Sequence, residues 1–149
     1  MSRLRPLFLV IAALAAAGCS DSDSPESQVR RTIDAMEMAA KARDVGDLMD
    51  FVAADFRDGY GQGSDELRRY MQGYFIANQS IHLLTRIEGI EFPHPDEARL
   101  QVTVGMVGRE ADAANAWSLA ADVYDFDVTM RKQGDDWRVI HAKWQRPTG

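Results

Sequence analysis

Cysteine is almost missing from this chain: Cys19 is the only one in 149 residues. A single thiol excludes an intramolecular disulfide and a cysteine-based zinc site. Histidine is scarce as well, and His82, His94 and His141 have no helical or strand spacing to one another. There is no Gly-x-Ser-x-Gly elbow, so covalent catalysis has no evident nucleophile. The glycine-rich run Gly59-Tyr60-Gly61-Gln62-Gly63 lacks the Gly-Lys-Ser/Thr ending of a phosphate loop. Positive charge is short too, with 17 basic residues against 23 acidic ones and a net charge of −6. That balance argues against nucleic acid or an anionic membrane face as partner, since both need a basic patch. No apolar run reaches the roughly 20 residues needed to span a bilayer. Internal repeats are absent, and neither a metal nor a cofactor is expected.

What the chain does have begins with an address. Arg3 and Arg5 precede an apolar run of 11 residues from Leu7 to Ala17, which ends in Ala16-Ala17-Gly18-Cys19. A basic start, a short apolar stretch and small residues before a cut describe a secretory signal. Gly18-Cys19 resembles the lipobox of bacterial lipoproteins, in which the cysteine is lipidated and becomes the mature N-terminus. Ala16 departs from the leucine usual three positions before the cysteine. Ser20 stands where an aspartate would favour inner-membrane retention, so the resemblance implies an outer-membrane anchor facing the periplasm. Two or more acyl chains, at about 0.8 kcal/mol per buried CH₂, give stable anchoring. Losing Arg3 and Arg5 with the signal takes the 17 basic residues to 15 against 23 acidic, a net charge of −8. The expected organisation is a signal over 1–18, a lipidated cysteine and polar tether over 19–25, and one domain over 26–146.

The domain opens with helical spacing. Ser24 and Pro25 make a helix start, and Val29, Ile33, Met36 and Ala40 form one apolar stripe behind them. Gly46-Asp47 punctuates, and a second helix carries Leu48, Phe51 and Val52 towards Phe56. Ser64 is read as the cap of a third helix, with Asp65 and Glu66 in its first turn. Leu67, Tyr70, Met71, Tyr74 and Phe75 are read as that helix's core face.

From Ile81 the period changes to two. Ile81, Leu83, Thr85 and Ile87 share one parity while Leu84, Ile90 and Phe92 share the other, as if both faces were covered. Pro93-His94-Pro95-Asp96 is a turn, and Ala98, Leu100, Val102, Val104 and Met106 alternate with polar residues in an unambiguous strand. Beyond the polar stretch 109–115, Trp117, Leu119, Ala121 and Val123 run in odd phase, and the phase turns even at Tyr124. A shift of one inside a strand is the work of a β-bulge, placed here near Asp122. The last two strands form a hairpin around Gly134. The pairing of Met130 with Ile140, Val128 with Ala142 and Phe126 with Trp144 keeps Asp127 with Lys143 and Thr129 with His141 on the opposite face. It implies a loop of three or five residues.

Three helices followed by a bent meander describe an α+β fold: three N-terminal helices packed on a curved antiparallel sheet. The chain resembles the nuclear transport factor 2-like superfamily. The resemblance is carried by Ala42-Arg43-Asp44-Val45-Gly46-Asp47-Leu48, by Ser64-Asp65-Glu66-Leu67, and by the closing stretch from Asp136 to Trp144. It implies a cone-shaped domain, SnoaL-like or ketosteroid isomerase-like, in a superfamily that spans isomerases, cyclases, dehydratases, transport factors and domains of no assigned activity. The isomerase chemistry needs a tyrosine, a carboxylate base and a protonated acid around one carbonyl. Those positions fall near Ala39, Tyr60 and Phe126, and none is kept. Asp58 is the nearest carboxylate.

The expected function is therefore a lipid-anchored, non-catalytic domain that binds a small apolar ligand or an envelope protein. The ligand is expected between the third helix and the sheet, against Tyr60, Tyr70, Tyr74, Phe126, Val128, Met130, Ile140 and Trp144. The alternatives are a dehydratase- or cyclase-like enzyme working through Asp58, Tyr60, Tyr70 or His82, and a structural subunit that oligomerises. A homodimer would pair through the outer sheet face. Asp125 and Asp127 share a strand face but lack the loop that supplies calcium's roughly six to eight oxygens.

Overall fold

Ser24 and Pro25 start the first helix as expected. The Ser24 hydroxyl accepts from the Ser27 N–H at 3.1 Å, and proline occupies a position whose N–H has no helical partner. The computed structural model describes residues 24–107 and 120–147, with backbone alone at Val107, Ala120 and Ala121. The signal and Cys19, the stretch 109–115, Trp117 and Leu119 lie outside the described residues. The order is α1 (Pro25–Lys41), α2 (Val45–Asp50), β1 (Val52–Asp58), α3 (Ser64–Ala77), β2 (His82–His94), β3 (Glu97–Val107), β4 (Ala120–Gln133) and β5 (Asp136–Gln145).

Helix α1 ends in a tight reversal. Arg43 takes a left-handed φ of 54°, its N–H bonds the Ala40 carbonyl, and the Asp44 N–H bonds that of Ala39. Glycine is usual at such a position. Arg43 instead uses its guanidinium to reach the carbonyls of Phe75 (3.0 Å) and Asn78 (3.3 Å), tying α1 to the end of α3. Asp44 then caps α2, so Gly46 sits inside that helix rather than between two.

The sheet runs β1-β5-β4-β3-β2. It is mixed rather than antiparallel, because β1 pairs parallel with β5. The second helix stops at Asp50, and Val52 to Phe56, expected to extend it, are strand. The reason is an irregularity: burial falls on Ala53, Phe56 and Asp58, and the register with β5 shifts between Val52 and Arg57. A spacing of three followed by two imitates a helix. At α3, Gly63 is the capping residue and Ser64 the first helical one, with the Glu66 carboxylate accepting from the Gly63 N–H at 2.9 Å.

Register shifts in β2, in β4 and in the final hairpin set the sheet's faces. In β2 the pairing passes from Ile87–Val102 to Gly89–Gln101, leaving Glu88 as the extra residue. The inward parity therefore changes from Leu83, Thr85 and Ile87 to Ile90, which replaces the expected burial on both faces. β2 also runs through Pro93 and His94, so the turn is Pro95-Asp96 alone. In β4 the register shifts between the pairs Met106–Asp122 and Val107–Ala120, beside the place expected. In the hairpin, Phe126–Trp144, Val128–Ala142 and Thr129–His141 pair as expected, but Met130 faces Val139. Ile140 is the extra residue. That bulge leaves a two-residue turn, Gly134-Asp135, with Gly134 at φ 65°.

Two apolar clusters hold the helices to the inner face. Val29, Ile33, Ala98, Leu100, Met130 and Trp137 belong to one. Ala39, Leu48, Phe75, Ile81 and Leu83 form the other. The outer face is polar, and the Thr103 hydroxyl there lies 3.2 Å from Glu88 and 3.0 Å from Asp125.

Candidate functional site

A cavity of about 240 Å³ lies against both clusters. Helix α1 contributes Ile33, Met36 and Ala40, and α3 contributes Leu67 and Met71. Val102 and Val104 of β3, Phe126 and Val128 of β4, and Val139, Ala142 and Trp144 of β5 make the sheet wall. The bulge at Ile140 explains the mixed parity of β5, with Val139 facing in before it and Ala142 and Trp144 after it. Ala142 pairs with Val128, so two small side chains meet where larger ones would fill the space. Phe126 and Trp144 pack at 5.9 Å between ring centroids.

Among the described lining residues, one titratable side chain is present: Glu37 of α1. Its side chain is 18 % exposed. One carboxylate oxygen accepts from the Lys41 ammonium. The other accepts from the Thr85 N–H at 3.1 Å and from the Thr85 hydroxyl. Thr85 also lines the cavity, and β2 is an edge strand, so Glu37 caps an edge N–H while bridging helix to sheet. Sequence reasoning missed Glu37. The signal was present: Val29, Ile33 and Glu37 follow at steps of four, which puts a carboxylate on the buried stripe.

The expected site residues separate into two groups. Phe126, Val128 and Trp144 line the cavity. Tyr60, Tyr70, Tyr74, Met130 and Ile140 do not. Tyr60 is 81 % exposed and meets the edge of Trp144 at 6.5 Å, behind the wall that Trp144 forms. Tyr70 is 63 % exposed because Leu67, Met71 and Phe75 carry the inward stripe of α3 and Tyr70 falls beside it, stacked on Tyr74 at 6.3 Å. Met130 is fully buried in the packed end, and Ile140 is displaced by its bulge. Tyr74 packs on the second cluster and donates its hydroxyl to Met106 Sδ at 2.7 Å. Burial pushes the Tyr74 phenol above its ordinary value of 10.0, with Tyr70, Tyr124 and Asp122 adding to the shift.

The catalytic candidates are not gathered either. Asp58 is 6 % exposed, and a single carboxylate oxygen accepts from the N–H groups of Tyr60 (2.9 Å) and Gln62 (2.8 Å). It holds the loop into α3, away from the cavity wall. His82 starts β2 opposite Val107 and is not among the lining residues. Among the described residues no group of three His, Cys, Asp or Glu is placed to hold a metal ion, and no helix is long and apolar enough to cross a membrane.

No family model and no curated protein sequence matches the chain. Solved structures do. A scytalone dehydratase-like protein from Novosphingobium aromaticivorans is 12 % identical, with a TM-score of 0.66 over 83 % of this chain and 84 % of that one. A calcium/calmodulin-dependent protein kinase type II association domain-like protein from Thiobacillus denitrificans is 15 % identical, with a TM-score of 0.65 over 84 % and 96 %. A ketosteroid isomerase-like protein from Erwinia carotovora atroseptica is 15 % identical, with a TM-score of 0.60 over 83 % and 96 %. At these identities the likeness is one of fold. The helices, the curved five-stranded mixed sheet and the hollow between them give this chain the nuclear transport factor 2-like fold.

Proposed function

We propose that this chain is an envelope lipoprotein whose cone holds a small apolar molecule without transforming it. The observation that carries the reading is the cavity of about 240 Å³, walled by aliphatic and aromatic side chains apart from Glu37 and Thr85. A void of ~150 Å³ lined by apolar side chains stays dry and takes up benzene. The larger space here suits a molecule of one or two fused rings, or a short branched chain. Binding sites of this kind are mostly apolar, with a few polar groups fixing orientation. A lone titratable group on the wall supports binding over acid–base chemistry, which relies on a matched acid and base. Glu37 is nonetheless the residue on which a dehydratase- or cyclase-like reading would rest, in place of Asp58, Tyr60 and His82.

The anchor belongs to the same proposal. Cys19 carries the lipid, and the domain faces the periplasm from the outer membrane, close to the bilayer on its short tether. A second copy, paired through the outer sheet face, is the further partner in this reading. Mass spectrometry of the protein extracted natively from its own membrane tests the reading: a retained small apolar molecule and an acylated Cys19 are expected. An empty domain, or a Cys19→Ser variant with unchanged membrane fractionation and mature mass, would overturn the corresponding half.

A further inference from the structure

Glu37 and Thr85 border the cavity, but their polar atoms are committed elsewhere. One carboxylate oxygen of Glu37 accepts from the ammonium of Lys41, whose side chain is 42 % exposed. The other accepts from the N–H and the hydroxyl of Thr85 on the β2 edge. The carboxylate thus closes the seam between α1 and β2, and what the two residues lend to the cavity is carbon. The remaining described lining side chains are aliphatic, thioether or aromatic, and the surface turned to the cavity is almost wholly apolar. A hydroxyl or carbonyl placed inside would lose its water and gain no partner of like strength.

We propose that the cavity takes a hydrocarbon: a free one, or the hydrocarbon end of a larger molecule whose polar part stays outside. The inference rests on the ligand-binding reading above and names the chemical class of the ligand. Selection is then by shape and volume, since no described wall residue turns a polar group to the ligand. The same seam keeps the Glu37 carboxylate out of reach of a bound molecule. A dehydratase- or cyclase-like reaction is thereby left without the one residue on the wall that could begin it.

The test titrates the purified domain with naphthalene, 1-naphthol and 1,5-naphthalenediol, which share a ring system. The diol carries hydroxyls at opposite ends of the rings, so at least one of them must enter. It should bind at least about tenfold more weakly than naphthalene, the scale of one buried hydroxyl without a partner. The single hydroxyl of 1-naphthol separates the two sources of hydrocarbon. Binding like naphthalene means that one end of the ligand stays in water, and binding like the diol means that the ligand is wholly enclosed. Glu37→Gln should leave the naphthalene-to-diol ratio unchanged, and if that variant does not fold, the three probes on the native chain decide alone. A diol that binds as tightly as naphthalene overturns the inference and leaves a ligand-binding cavity standing, with Glu37 or the Trp144 indole as the hydroxyl's partner. A ratio that changes in Glu37→Gln overturns it too. If no probe binds, the ligand-binding reading itself falls.

Discussion

Two alanines on the inner face of the sheet show how one end of the cone is full and the other hollow. Ala98 of β3 faces Met130 of β4, and both are fully buried. Ala142 of β5 faces Val128 of β4, and both border the cavity. In the first pair a long, adaptable side chain fills the space the alanine leaves. In the second, a short side chain faces a short one and the volume stays open. Trp137 marks the same contrast with Trp144. The indole N–H of Trp137 is bonded to Gln28 at 3.0 Å and its ring is buried, whereas the Trp144 ring has the cavity on one side and Tyr60 on the other. The cavity is thus a deficit in cross-strand pairing, left between two ordinary apolar clusters.

Truncation should separate the two ends most strongly. Trp137→Ala should cost about 3–5 kcal/mol and Met130→Ala about 2–5 kcal/mol in denaturant unfolding, as for buried side chains in a close-packed core. Trp144→Ala should cost less than half as much as Trp137→Ala, because part of its surface already lacks packing partners. Equal losses would mean that the hollow end is as tightly packed as the other.

Enlargement should reverse the order. Ala98→Leu overpacks a filled layer and should destabilise by about 1–3 kcal/mol. Ala142→Leu grows into open space and should be neutral or stabilise by about 0.5–1 kcal/mol, in the range of cavity-filling substitutions. Thermal unfolding of the two variants reads the comparison as a difference in sign.

The helices above the hollow end depend on Arg43. Arg43→Ala keeps the left-handed backbone and loses both bonds to the end of α3, so a cost of about 1–2 kcal/mol is expected. Arg43→Gly relieves the backbone and should recover part of that loss. If glycine and alanine behave alike, the φ of 54° carries no cost worth counting.

The smallest effect is a pH dependence. Because the Tyr74 phenol is raised above 10.0, the folded state holds that proton more firmly than the unfolded chain does. Its contribution to stability is complete below pH 10.0 and is lost as pH rises through the folded value. In the phenolate absorbance of the folded protein, one of the four tyrosines should titrate late, and Tyr74→Phe should remove that component.

How much of this was legible beforehand depended on how regular each stretch is. β3 alternates without interruption from Ala98 to Met106, and its inner face could be read directly. β1 could not, because Ala53, Phe56 and Asp58 are buried at unequal spacing and a short irregular strand imitates a helical turn. Glu88 and Ile140 each add one residue to a strand, which inverts the parity beyond them; a bulge is settled by the partner strand, so one strand's pattern does not locate it. Tyr70 and Tyr74 cannot be told apart in the sequence, because aromatic residues at helical spacing look alike until the partner surface is known. The cavity itself was out of reach, since it depends on which small residues face each other across strands. Glu37 was within reach as a carboxylate on a buried stripe.

The most direct test of a hollow, ligand-binding cone is thermal unfolding with and without saturating naphthalene, in the native chain and in Ala142→Leu. A ligand that binds only the folded state raises its unfolding midpoint by mass action. The native chain should show a rise with naphthalene, and the plugged variant, stable on its own, should show none. An equal rise in both, or a rise in neither, would contradict the account.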